Sequence, residues 1–145
     1  MANRFFNQFS KTLEKEVCAI YAKVGIGSSG ACTLDTTLSK GIVSVTRNST
    51  GKYTFVFGTS AAALDVYNKL LHASVSYDAT GASGAAPAAP VMNVVANSIA
   101  TAGTASIQVQ FWGATNSSTT TLVATDPGNG EILRFRFILR NSNAP

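Results

Sequence analysis

Charge is scarce in this sequence. Asp, Glu, Lys and Arg make up 12% of the residues, against about 25% in an ordinary soluble domain. Ser, Thr, Asn, Gly and Ala stand where charge would be. A freely diffusing cytosolic monomer keeps more surface charge for solubility. With 46% hydrophobic residues, the chain suits a protein that covers much of its outside with partners. A small secreted β domain is the other class this composition allows. The 11 basic side chains outnumber the 7 acidic ones, for a formal charge of +4. So slight an excess favours an anionic partner only weakly.

Residues that carry chemistry are also few. His72 is the one histidine, and Cys18 and Cys32 are the only cysteines. Two cysteines without a CxxC or a histidine pair make no zinc site. They are expected as small buried apolar residues, with a single disulfide as the alternative. Long apolar runs are missing. The longest near the N-terminus, VCAIYA, is far short of the roughly 18 residues of a membrane span. No cleavage pattern follows Arg4 and Lys11, so no secretory leader is expected and synthesis in the parent cell's cytoplasm is.

These shortages argue against catalysis, and the expectation is no enzyme, no cofactor and no small-molecule substrate. A Ser-His-acid triad needs His72 near a nucleophile and a carboxylate, and no G-x-S-x-G elbow surrounds any serine. His72 is expected at a helix end, near the C-terminal dipole. The carboxylates Glu14, Glu16, Asp35, Asp65, Asp78, Asp126 and Glu131 each suit a turn or a strand end. Gly25, Gly27 and Gly30 have the spacing of a dinucleotide loop after a strand, but no helical pattern follows.

What is present is alternation. VCAIYAKVGI alternates with both faces largely apolar, which predicts a strand covered on both sides. IVSVTR and KYTFVF flank NSTG, and VMNVVANSI and ASIQVQFW flank ATAGT, so two hairpins are expected. The second should turn Ile107, Val109 and Phe111 to one face and Gln108, Gln110 and Trp112 to the other. SAAALDVYNKLLH departs from the pattern. Leu64, Tyr67, Leu70 and Leu71 recur at three to four residues, which predicts a short helix at 61–71 capped by Ser60. ASVSYD is a further strand, and ATGASGAAPAAP is a loop. DPGNGE has strong turn chemistry and launches the last strand. At the other end, Phe5, Phe6, Phe9 and Leu13 form an apolar stripe at helical spacing. It is either a helix on its own core or an arm that docks on a neighbour.

The chain length of 145 residues fits one core. The expected architecture is all-β: one antiparallel β-sandwich or jelly-roll-like barrel over residues 17–145, with one short helix and an N-terminal arm over 1–16. The last strand, EILRFRFILR, sets Leu133, Phe135, Phe137 and Leu139 on one parity and Arg134, Arg136 and Arg140 on the other. Nearest arginines on that face stand about 7 Å apart. Such a row tracks phosphates, pairs with carboxylates of a protein partner, or faces solvent. Phe135 and Phe137 point away from it, so the stacking platform of a single-strand nucleic-acid binder is not expected here. Trp112 and Tyr21 are isolated.

Two longer stretches carry a resemblance. The opening, from NRFFNQFSKTLEK through the T-L-D loop and the G-I-x-S-V-T-R-N hairpin, resembles small virion proteins of tailed phages, and so does the closing D-P-x-x-G-E strand. The middle of the chain, 60–120, resembles them much less. The resemblance implies a capsid decoration, or cement, protein on the virion surface, bound to the major capsid protein and assembled as a dimer or trimer. It transfers no site residues. From the pattern of the chain itself, Phe5, Phe6, Phe9, Leu13, Arg134, Arg136 and Arg140 are the expected interface residues. A fibre-like or glycan-binding virion module is the alternative reading, and a single-strand nucleic-acid-binding domain the second.

Overall fold

The computed structural model describes residues 17–60, 63–64, 67, 69–81, 90–101, 105–114 and 121–140. Two antiparallel sheets pack face to face as a sandwich. The first contains β1 (Val17–Ile26), β2 (Cys32–Leu34), β6 (Lys69–Asp78) and β10 (Ile132–Arg140), in the order β2-β1-β10-β6. The second runs β3 (Ile42–Ser49), β4 (Lys52–Ser60), β8 (Ser106–Ala114), β7 (Val91–Asn97). Short strands β5 (Ala63–Leu64) and β9 (Leu122–Ala124) pair with β4 and β8. The first and last strands are neighbours, with Val17 opposite Arg140 and Gly25 opposite Ile132.

Both expected hairpins form, as β3–β4 and β7–β8. The first turns through Gly51 at φ +69°, where an added Cβ would lie 2.7 Å from the Phe111 carbonyl. Ile107, Val109 and Phe111 are fully buried. Gln110 has the opposite parity and is buried too. Its Nε2 donates to the Thr50 carbonyl at 3.1 Å and to its neighbour Phe111 at 3.2 Å, so its polar end is satisfied under the hairpin turn.

Aromatic rings join the two layers. Phe55 of β4 meets Phe135 and Phe137 of β10 at 4.6 and 5.1 Å between centroids. Phe57 meets Phe137 edge-on at 5.2 Å. Each such pair adds about 0.5–1.5 kcal/mol beyond the area it buries. Leu133 and Leu139 complete the inward face of β10, as the alternation predicts.

Three sequence expectations need correction. The helix at 61–71 is absent from its described residues: Ala63–Leu64 pair with β4, and Lys69–Leu71 belong to β6. Residues 61–62, 65–66 and 68 lie outside the described residues. The cause of the helix-like spacing is a β-bulge. Leu70 opposes Leu139 and His72 opposes Ile138, which leaves Leu71 as the extra residue. Inward positions therefore fall at Leu70 and Ala73, three apart, and mimic a helical stripe. Tyr67 continues that stripe and packs edge-on against Phe57 at 6.2 Å. His72 accordingly stands in a strand and not at a helix end. Finally, among the described residues only one side of β1 is covered. Ile20, Ala22, Val24 and Ile26 are buried, whereas Val17, Ala19 and Tyr21 are exposed.

Candidate docking face

The strand period of two decides what the first sheet shows to the outside. On β10, Arg134 and Arg136 are exposed, and Ile138 and Arg140 are half-buried beside them. The register sets Lys23, Tyr21, Ala19 and Val17 of β1 opposite these four in turn. On the other flank, β6 sets Ser76, Ser74, His72 and Lys69 against them. The result is one surface with a positive excess: Lys23, Lys69 and the three arginines against Asp35 and Asp78.

Fixed contacts hold several of these groups. Arg134 Nη2 lies 2.9 Å from Asp78 Oδ2. The Thr80 hydroxyl and backbone N–H, then Arg134, hold the Asp78 carboxyl down at about 2. Lys23 Nζ donates to Asp35 Oδ2 at 3.1 Å. The other oxygen of Asp35 accepts from the N–H groups of Thr37 and Leu38. The Leu38 N–H and then Lys23 keep the Asp35 carboxyl below its ordinary value. The Arg136 guanidinium sits 6.0 Å from the Tyr21 ring centroid, at the edge of cation–π range. Tyr21, Lys23, Leu38 and Arg134 rim a shallow depression of about 200 Å³ floored by Ala22 and Phe135. Tyr21 is 54% exposed and Leu71 47%. Arginine and aromatic side chains are residue types enriched at protein–protein interfaces.

A second polar cluster closes one end of the sandwich. Arg47 Nη2 lies 2.7 Å from Asp126 Oδ2, and Arg47 Nε donates to Asp126 Oδ1 at 3.0 Å. The Gly51 N–H and the Tyr53 hydroxyl donate to Asp126 Oδ1 as well, at 2.7 and 3.0 Å. Burial pushes the Asp126 carboxyl up, but Arg47, Gly51 and Tyr53 together outweigh it and hold it below its ordinary value. Burial, then the Asp126 charge, raises the Tyr53 hydroxyl. Pro127 is buried beside this cluster, and Glu131 Oε2 accepts from the Gly128 N–H at 2.8 Å. The D-P-x-x-G-E and T-R-N stretches thus meet at a structural clasp. Sequence alone left Asp126 as a plain turn residue, because its partner Arg47 lies 79 residues away.

The structure brings Arg134, Arg136 and Arg140 onto one face. Phe5, Phe6, Phe9 and Leu13 lie outside the described residues. The alternation set Tyr21 apart from Ile20 and Ala22, but its exposure and its place beside Arg136 came only with the tertiary structure. Neither cysteine is in a disulfide. Cys32 pairs with Ile26, eight residues along β1 from Cys18, a separation of about 26 Å. No bridge spans that distance. Burial pushes the Cys32 thiol up. Among the described residues no group of three His, Cys, Asp or Glu side chains could hold a metal ion. Comparison with family models, with curated proteins and with solved structures returned no match.

Proposed function

We propose that this chain is a virion structural protein that decorates the outside of a tailed-phage capsid and bridges subunits of the major capsid protein. The observation that carries the reading is the outer face of the first sheet. It is basic and set with exposed Tyr21, Val17 and Leu71. An acidic capsid surface complements it. The resemblance of the two end stretches to small virion proteins supports the same reading.

The mechanism needs no bond-making. A subunit that bridges capsid proteins in one shell geometry stabilises that geometry by mass action. Repetition over the lattice multiplies modest contacts into a large combined effect. Arg134 keeps Asp78 beside it, so its head is held in place before docking. Among the described residues Arg136 is braced by Tyr21 alone, and it is the better placed to reach a partner carboxylate.

Copy number in purified particles tests the proposal. A decorating protein is present in stoichiometric ratio to the capsid lattice and co-sediments with expanded heads. A few copies per particle would overturn it in favour of a fibre-like or glycan-binding module. Binding to oligonucleotides with a steep salt slope, and not to heads, would point to single-stranded nucleic acid.

A further inference from the structure

We infer that two copies of this chain associate through β7, edge to edge and antiparallel about a two-fold axis, joining their second sheets into one. This inference is independent of the docking face. It rests on the opposite sheet.

Strand β7 ends the second sheet, and among the described residues no strand pairs with its outer edge. Val91, Val94 and Val95 are 55%, 39% and 45% exposed. Val94 opposes the fully buried Val109, so it faces inward but lies on the rim of the sandwich. The Tyr77 hydroxyl donates to the Pro90 carbonyl and ties β6 to the chain just before β7. The valines beyond it are left open.

Edge strands are ordinarily protected from pairing by charge, by proline, by bulges or by being short. The other edges follow this rule. β2 has three residues, β6 carries Lys69 and Asp78, and β3 carries Arg47. β7 has no charge in its seven residues, VMNVVAN, and has a single irregularity between Val94 and Ala96.

That neutrality selects the occupant. A two-fold axis sets a strand against its own copy, so a charge near its middle would meet its like across the pair. With no charge in its seven residues, β7 avoids that conflict in every register. A foreign partner chosen by charge would go to the arginine face instead. Two chains of net charge +4 repel, and they approach most readily along an uncharged edge. The contact is one strand pair with a few valines. It falls short of the roughly 1,200 Å² of a stable interface, so the association is weak and concentration-dependent. The symmetry is isologous and closes at two.

Sedimentation velocity over a range of concentrations tests this on the unaltered chain. A monomer–dimer equilibrium is expected, and added salt should leave it unchanged or strengthen it by screening the like net charges. Amides of β7 should exchange more slowly with deuterium at high protein concentration than at low. Val94→Lys should abolish the dimer with an unchanged circular dichroism spectrum, and Arg136→Glu should leave it intact. The inference is overturned by a chain that stays monomeric, by a trimer, or by a dimer that salt dissociates. It is also overturned by β7 amides indifferent to concentration, or by a folded Val94→Lys that still dimerises. Loss of particle binding by Arg136→Glu with the dimer retained would separate this inference from the proposed function.

Discussion

Gly30 shows how much can depend on one missing side chain. Its φ is +74°, and an added Cβ would lie 2.4 Å from Asp126 Cγ and 2.6 Å from Arg47 Nε. Its carbonyl accepts from the Tyr53 hydroxyl at 3.0 Å. The glycine that looked like part of a dinucleotide loop instead lets the β1–β2 connection lie against the clasp. Gly30→Ala should destabilise the fold by about 1–2 kcal/mol from backbone strain alone, and by more through the contact with Asp126, measured by urea unfolding. Asp126 predicts a pH dependence. Its folded value is depressed, so its contribution is complete above the unfolded carboxyl value of about 3.9. That contribution is lost as pH falls through the lower folded value. Asp126→Asn should therefore flatten the acid limb of a stability–pH curve. An unchanged limb would show that the clasp does not couple to protons.

At the scale of an element, β10 divides stability from the proposed attachment to particles. Its inward face meets the aromatic cluster of β4, and its outward face meets solvent. Phe135→Ala removes a ring packed between Phe55 and Phe111, and should cost on the order of 3–5 kcal/mol. Arg136→Ala removes an exposed group with one marginal ring contact and should leave the melting temperature within error. Its attachment to particles should weaken, more so at low salt, where screening is least. Equal attachment of the Arg134, Arg136 and Arg140 single and combined variants would make the row a solvated surface. The inward face of β10 was readable from alternation in nine residues. The neighbouring β6 was readable only over residues 73–78, as the ASVSYD strand. One bulge at Leu71 shifted its parity, and a shift of parity cannot be told locally from a helical spacing.

For the whole molecule, the pairing of the first strand with the last governs folding. β1 finds β10 only after more than a hundred residues of chain have been made, so its contacts are of high sequence separation. Such topologies fold slowly, over roughly milliseconds to seconds. The buried cluster of the described residues begins at Ile20. Deleting residues 2–13 should therefore leave a folded domain, shown by a retained cooperative melt. The same deletion should weaken particle binding if Phe5, Phe6, Phe9 and Leu13 anchor on a neighbour. A chain that no longer melts cooperatively would show that the stripe is part of the core.

Period-two alternation, the Asn-Ser-Thr-Gly turn and the Asp-Pro-Gly turn act over a few residues, and so the sequence by itself determined the all-β class, the two hairpins and both faces of β10. Other features depend on residues far apart in the chain. Whether the second face of β1 is covered depends on what packs above it, and nothing among the described residues does. Arg47 and Asp126 meet because the second sheet carries Arg47 to the turn before β10. The arginine row becomes a surface only when β1 and β6 set Tyr21, Lys23 and Lys69 beside it. β7 becomes an open edge only by its place at the end of the strand order. Local patterns follow from nearest-neighbour sterics and burial, whereas strand order and register arise from long-range pairing, which tertiary structure alone decides.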